Sequence, residues 1–365
     1  MPSIRVLVVD DSVVVRRLVT DSLQSDPDLT VVAAAANGRI ALSRLPQVNP
    51  DVVVLDVEMP ELDGLETLTA LRATHPKLPV IMFSTLTERG AAATLEALSR
   101  GASDYVTKPA NVGGVQEAMA RIRDELIPKV KLLCGRPVVT TPPPRRAVLP
   151  TAQPAGSPRP RRSGPPPAVE LLAIGVSTGG PAALEKLFSA LPGDLGVPVV
   201  VVQHMPPIFT DMLARRLDSH SALQVAEAAT GVVLAPNQTW IAPGDFHLVV
   251  EPHGDAKVLR TTTDPPENSC RPAVDVLFRS AARAYGAGVL AVVMTGMGQD
   301  GLRGAEQIIE VGGAVLAQDE ATSVVWGMPG YVANTGLADQ VLPLDQLAGA
   351  IVRRVRQPQP ARSVP

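Results

Sequence analysis

The stretch from Lys131 to Ala168, KLLCGRPVVTTPPPRRAVLPTAQPAGSPRPRRSGPPPA, is dense in proline and contains no acid. Proline fixes φ and removes an N–H donor, so such a run forms neither a packed helix nor a central strand. We read residues 126–168 as a basic, semi-extended linker whose arginine pairs either stay solvated or meet an acidic surface. The chain is therefore expected to fold as two bodies, residues 1–125 and 169–356, with 357–365 as a disordered tail. Its 365 residues suffice for two cores.

Composition narrows what those bodies are. The chain is 45% hydrophobic but only 3% aromatic, so its cores must be built from Val, Leu, Ile and Ala. A net charge of −3 gives no argument for nucleic-acid binding. No apolar run reaches the roughly 18–20 residues of a membrane helix, so no membrane insertion is expected. The opening MPSIRVLVVDD does not read as a signal peptide, because its apolar run is short and ends in acids. The two cysteines, Cys134 and Cys270, lie far apart with no C-x-x-C pair. That pattern suits a reducing, cytoplasmic setting and argues against a thiolate zinc site. His247 and His253 flank a strand-like run and are expected on a hairpin's surface.

Ahead of the linker, apolar runs at Ile4–Val9, Thr30–Ala35, Val52–Asp56, Pro79–Phe83 and Asp104–Thr107 read as strands. Amphipathic stretches at Ser12–Ser25, Gly38–Leu45, Leu65–Thr74 and Ala91–Arg100 read as helices. This alternation implies a parallel sheet covered on both faces, a flavodoxin-like α/β body. After the linker the pattern resumes at Leu171–Gly175, Val197–Gln203, Val289–Met294 and Ala314–Ala317. Between them, WIAPGDFHLVVEPHGDAKVLRTTT has alternating runs separated by Gly-Asp turns. The second body is thus expected to be a doubly wound, mostly parallel sheet with an inserted antiparallel hairpin.

Asp10 and Asp11 end the first strand, and Asp56 ends the third. In an open parallel sheet these ends share one crevice. Carboxylates gathered there repel one another unless a cation joins them, and oxygen-only ligands suit Mg²⁺. Ser84 ends the fourth strand and Lys108-Pro109 the fifth, a hydroxyl and an ammonium suited to phosphate oxygens. The motifs VLVVDDS, LDVEMPELDG, MFST and DYVTKP resemble the receiver domain of response regulators. That resemblance implies Asp56 as phosphoacceptor and Mg²⁺ held by Asp10, Asp11 and Asp56 near Glu58. It further implies Ser84 and Lys108 as phosphoryl partners, Tyr105 as the aromatic that changes rotamer, and a cis peptide before Pro109.

The stretch AIGVSTGGP raises a choice between a phosphate cradle and a nucleophile turn. A dinucleotide site wants an acid at the end of the next strand, and VPVVVVQHMP ends in Gln203 and His204. A P-loop needs G-K-[ST], and here Gly179-Gly180-Pro181 carries no lysine. Gly175-Val-Ser177-Thr-Gly179 instead fits G-x-S-x-G, a turn that exposes a serine. A serine hydroxyl needs a base, which His204 offers, and the base needs an orienting carboxylate, which Asp300 in TGMGQDG offers. The chain order Ser…His…Asp differs from that of the α/β-hydrolases. IGVSTGGP, QHMPPIFT, IAPGD, RPAVDVLF, TGMGQDG and GMP, in that order, resemble the effector domain of chemotaxis-type protein-glutamate methylesterases.

That family resemblance implies hydrolysis of γ-glutamyl methyl esters on chemoreceptor helices, releasing methanol, with deamidation of receptor glutamines as a further activity. It implies Ser177 as nucleophile, His204 as base and Asp300 as orienting acid, without a cofactor at the esterase site. The backbone N–H groups of Thr178 and Met297 are the candidates for an oxyanion hole. A chemotaxis histidine kinase would supply phosphate, and the unphosphorylated receiver is expected to inhibit. Arg271, Asp275 and Met328 sit in family-like motifs without an assigned catalytic role. Two rivals stay open: a receiver-regulated serine hydrolase for another ester or amide, and a non-enzymatic response regulator.

Overall fold

The structure, a computed structural model, describes residues 2–109, 114–135 and 167–357. It divides into two compact units, Met1–Val148 and Leu149–Pro365. The proline-rich stretch beyond residue 135 and the tail beyond residue 357 lie outside the described residues.

The first unit is a five-stranded sheet with strand order β2-β1-β3-β4-β5. Its strands are β1 (Ile4–Val9), β2 (Leu29–Ala35), β3 (Val52–Asp56), β4 (Val80–Ser84) and β5 (Asp104–Thr107). Every pairing is parallel. β3, VVVLD, is buried along its whole length, as a strand covered on both faces requires. Local chemistry sets the helix starts. Ser12 caps α1 (Val13–Gln24), and Asp63 with Glu66 forms a reciprocal capping box on α3 (Gly64–Thr74).

The last helix, α5 (Val115–Leu133), runs past the residue-125 boundary read from the sequence. Leu126, Ile127 and Val130 join the core formed by β1 and β3. Each such buried side chain contributes about 1.5–3 kcal/mol relative to exposure. Lys131 adds ion pairs to Asp26 and Asp28 at 2.8 and 2.9 Å. Packing thus carries the helix through Pro128 into a stretch whose composition alone reads as linker.

The second unit is a seven-stranded sheet with order β14-β13-β12-β6-β7-β9-β8. Its centre is β12 (Val289–Val293), β6 (Leu171–Val176) and β7 (Val199–Gln203), flanked by β13 (Ala314–Gln318) and β14 (Gln340–Leu342) on one side. On the other side lie β9 (Gln238–Ile241) and β8 (Gln224–Glu227). All these pairings are parallel. The expected hairpin is β10 (His247–His253) with β11 (Ala256–Thr262), antiparallel and turned at Gly254-Asp255. It packs on α8 (Val274–Tyr285), where Leu248, Val250 and Leu259 meet Phe278.

His253 is exposed as expected, but His247 is 1% exposed. Its Nδ1 accepts the Ala273 N–H at 3.2 Å, and its Nε2 lies 3.1 Å from the Pro265 carbonyl. The first four residues of β10 are buried on both faces and only its turn end is exposed, and these two backbone partners satisfy the ring there. The Lys108–Pro109 peptide also departs from expectation: among the described residues the cis peptide is Arg271–Pro272. Trans is the ordinary state of an X–Pro bond, favoured by about 0.5–1 kcal/mol.

Candidate active site

In the first unit, three parallel strand ends form an acidic rim. Ligand oxygens of Asp10, Asp11 and Asp56 all lie within 4.8 Å of one another. Asp10 and Asp56 are buried while Asp11 faces solvent. Lys108 Nζ reaches across from the end of β5 to Asp10 at 2.8 Å and Asp56 at 2.7 Å. Burial raises the Asp56 carboxyl to about 6; Lys108 opposes the rise and the Asp10 charge adds to it. One ammonium among three carboxylates leaves a negative, all-oxygen donor set, a composition that fits Mg²⁺. Ser84, at the end of β4, gives its hydroxyl to the Gly90 carbonyl at 3.1 Å. Tyr105 is buried, and Lys129 Nζ stands 5.2 Å from its ring centroid and 2.6 Å from its carbonyl oxygen.

In the second unit, β6 and β7 pair in register up to Val176 and Gln203. Ser177 and His204 are the next residues on each, and the His204 N–H donates to the Val176 carbonyl at 3.2 Å. The turn after Ser177 is held tightly. The Ser177 N–H donates to the Thr295 carbonyl at 3.0 Å, and the Gln203 side-chain amide donates to the Ser177 carbonyl at 3.0 Å. Gly179 has φ +76, and a Cβ on Gly180 would stand 1.9 Å from Gln203 Oε1. Glycine at both positions is what lets the chain turn into α6 (Gly180–Ala190) beneath the half-buried Ser177.

His204 Nε2 lies 2.8 Å from Asp300 Oδ2. Asp300 also accepts the N–H groups of Val274, Asp275 and Gly301 at 2.6, 3.0 and 3.0 Å. Burial works against the Asp300 charge, yet His204 and these donors hold its carboxyl below the ordinary carboxylate range. Burial likewise works against an imidazolium, but the Cys270 sulfur and the Asp300 carboxylate that face the ring raise His204 to about 10. With Nε2 on Asp300, the other ring nitrogen, Nδ1, faces Cys270 Sγ at 3.6 Å, and among the described residues no hydrogen bond joins the ring to the Ser177 hydroxyl. Of the two oxyanion candidates, the Met297 N–H donates to no group among the described residues, and Thr178 is buried beside the turn. Met328 packs behind the site, its sulfur 2.4 Å from where a Cβ on Gly296 would stand.

Two polar rims thus stand at strand ends of one chain: three carboxylates around Lys108, and a paired His204 and Asp300 beside the Ser177 turn. The model for the CheB methylesterase matches residues 172–351, and that for the response regulator receiver domain matches 6–120. A protein-glutamate methylesterase/protein-glutamine glutaminase of Trichodesmium erythraeum is 52% identical over 97% of this chain and 100% of its own length. The chain belongs to the CheB methylesterase family. A Nocardioides protein of the same description is 55% identical over 99% of this chain and 98% of its own. The Thermotoga maritima CheB methylesterase catalytic domain superposes with a TM-score of 0.50 at 42% identity, covering 51% of this chain and 98% of that one.

Reading the sequence of this CheB-family chain missed two residues at the esterase rim. Asn268 Nδ2 donates to both Asp300 Oδ1 and Asp275 Oδ2 at 2.9 Å, and Cys270 Sγ lies 3.6 Å from His204 Nδ1. Asp275, left without a role, is the buried neighbour of Asp300; burial and the Asp300 charge raise it to about 6. An Asn next to a Ser between charged and small residues is a turn signal, and that was the only trace of Asn268 in the sequence.

Proposed function

We propose that this chain is a phosphorylation-controlled protein-glutamate methylesterase that acts on chemoreceptor γ-glutamyl methyl esters through Ser177, His204 and Asp300. The observation that carries this reading is the His204–Asp300 hydrogen bond of 2.8 Å at the strand end beside the Ser177 turn. The Ser177 hydroxyl attacks the ester carbonyl while His204 Nδ1 takes its proton. The Met297 and Thr178 N–H groups receive the developing oxyanion. The tetrahedral intermediate collapses, the C–O bond to the methoxy group breaks, and His204 returns its proton so that methanol leaves. Water then attacks the acyl-serine by the same route and restores glutamate and Ser177. An amide in place of the ester would release ammonia, as the glutaminase description of the relatives names.

In the receiver, Asp10, Asp11 and Asp56 are the residues to hold Mg²⁺, which when bound screens the charge of an incoming phosphoryl group. Asp56 is the acceptor, with Ser84 and Lys108 as partners of the new oxygens. Tyr105 is the aromatic whose rotamer follows that change. The phosphodonor is a chemotaxis histidine kinase, and the setting is the cytoplasm. Among the described residues no helix is long and apolar enough to cross a membrane. The test is methanol release from methylated receptor membranes. Ser177→Ala should abolish it while Asp56 still accepts phosphate, and retained release would remove Ser177 from the mechanism.

A further inference from the structure

The segment Glu267–Cys270 closes on itself. The Glu267 N–H donates to the Cys270 carbonyl at 3.1 Å, and the Cys270 N–H donates to the Glu267 carbonyl at 2.9 Å. Both central residues are left-handed, Asn268 at φ 52 and Ser269 at φ 63. Asparagine tolerates that region better than most residues, but two in succession without glycine keep a strained turn. The turn is pinned from outside by a two-point ion pair of Arg279 to Glu267, at 2.7 and 2.5 Å.

Both arms of this turn reach the esterase machinery. Besides His204, Asn268 is the one side chain among the described residues that donates to Asp300. Its amide bridges two buried carboxylates that repel each other, giving one proton to Asp300 and one to Asp275. That bond and the Asp275 and Gly301 N–H groups fill Oδ1 of Asp300, while Oδ2 takes the Val274 N–H and meets His204. Cys270, at the end of the turn, faces the other ring nitrogen.

We propose that the Glu267–Cys270 turn is a clamp that sets the geometry of the His204–Asp300 pair, with Asn268 as its positioning residue. The proposal rests on the reading of Ser177, His204 and Asp300 as the catalytic groups. A turn held in a strained shape by an external ion pair keeps its side-chain amide in place before substrate arrives, and such preorganisation is where misplacement costs most.

The charged or titratable groups that face the pair are Asp275 and Cys270, then Glu267, Arg279 and Arg303 around Asp275 and Asp300. The test uses the full chain with Mg²⁺ and a small-molecule phosphodonor, reading methanol release. Asn268→Gly accepts the left-handed φ and removes only the amide. Its kcat should fall on the order of a hundredfold with KM unchanged, and the downfield Nε2–H resonance of the His204–Asp300 bond should shift. Asn268→Asp keeps the size and the turn preference but replaces a donor by an acceptor. Its deficit against the wild type should shrink as pH falls, because a protonated carboxyl regains a donor. Wild-type kcat and an unmoved resonance in Asn268→Gly, or a pH-independent deficit in Asn268→Asp, would overturn the clamp. Ser177→Ala run alongside separates the two readings. If it is inactive while Asn268→Gly is normal, the clamp alone fails; if it is active, the catalytic assignment fails.

Discussion

The two rims are built the same way and balanced in opposite senses. Each gathers functional groups at the C-terminal ends of neighbouring parallel strands, where an open sheet leaves a crevice. In the receiver, three carboxylates share one ammonium, so the rim carries excess negative charge and is suited to take up a cation and then a phosphoryl group. In the esterase unit the single carboxylate that meets the histidine is surrounded by donors, three from backbone and one from Asn268. The receiver rim is left with unmatched negative charge; the Asp300 carboxylate is matched by donors at both oxygens.

Breaking the satisfied rim should have the largest effects. Ser177→Ala should lower kcat for methanol release by roughly 10⁶-fold, as loss of a serine nucleophile does elsewhere. Asp300→Asn keeps the shape but upsets the imidazole's proton placement, and should cost about 10⁴-fold in kcat. On the unsatisfied rim, Asp56→Asn should remove all stimulation of methanol release by a phosphodonor with Mg²⁺. Deleting residues 1–168 should raise basal release, and a truncated enzyme no faster than the unphosphorylated whole would contradict inhibition by the receiver.

A pH series sharpens the same contrast. His204 must be neutral to take the serine proton, and its group is raised to about 10, so release should climb from neutral toward alkaline pH. Cys270→Ala removes the sulfur that faces the ring and favours the imidazolium, so the climb should move to lower pH; NMR titration of the ring checks the shift directly. The smallest effect concerns the turn itself. Gly180→Ala sets a Cβ 1.9 Å from Gln203 Oε1, and thermal unfolding should register a loss of about 1–3 kcal/mol.

Much of the frame is legible in the sequence because buried parallel strands are near-continuous apolar runs, as at Val52–Asp56 and Val199–Gln203. The candidate site residues stand at the end of such runs or immediately after them, which is why Asp56, Ser177 and His204 can be named without coordinates. Short edge strands such as Gln224–Glu227 and Gln340–Leu342 carry little apolar signal and go unread. The end of α5 is hidden because basic residues and Pro128 mask its buried face at Leu126, Ile127 and Val130. Asn268 and Cys270 escape because their contacts with Asp300, Asp275 and His204 arise from a turn that brings distant residues together, and no local pattern encodes that. His247 escapes for the related reason that its partners, Pro265 and Ala273, lie far along the chain.

The central claim is that one chain couples phosphate on Asp56 to ester hydrolysis at Ser177. Its most direct test is methanol release from a methylated chemoreceptor by the full chain, measured with and without a small-molecule phosphodonor and Mg²⁺. The account predicts release that rises with the phosphodonor and vanishes in Ser177→Ala. Release that ignores the phosphodonor, or persists without the Ser177 hydroxyl, would contradict it.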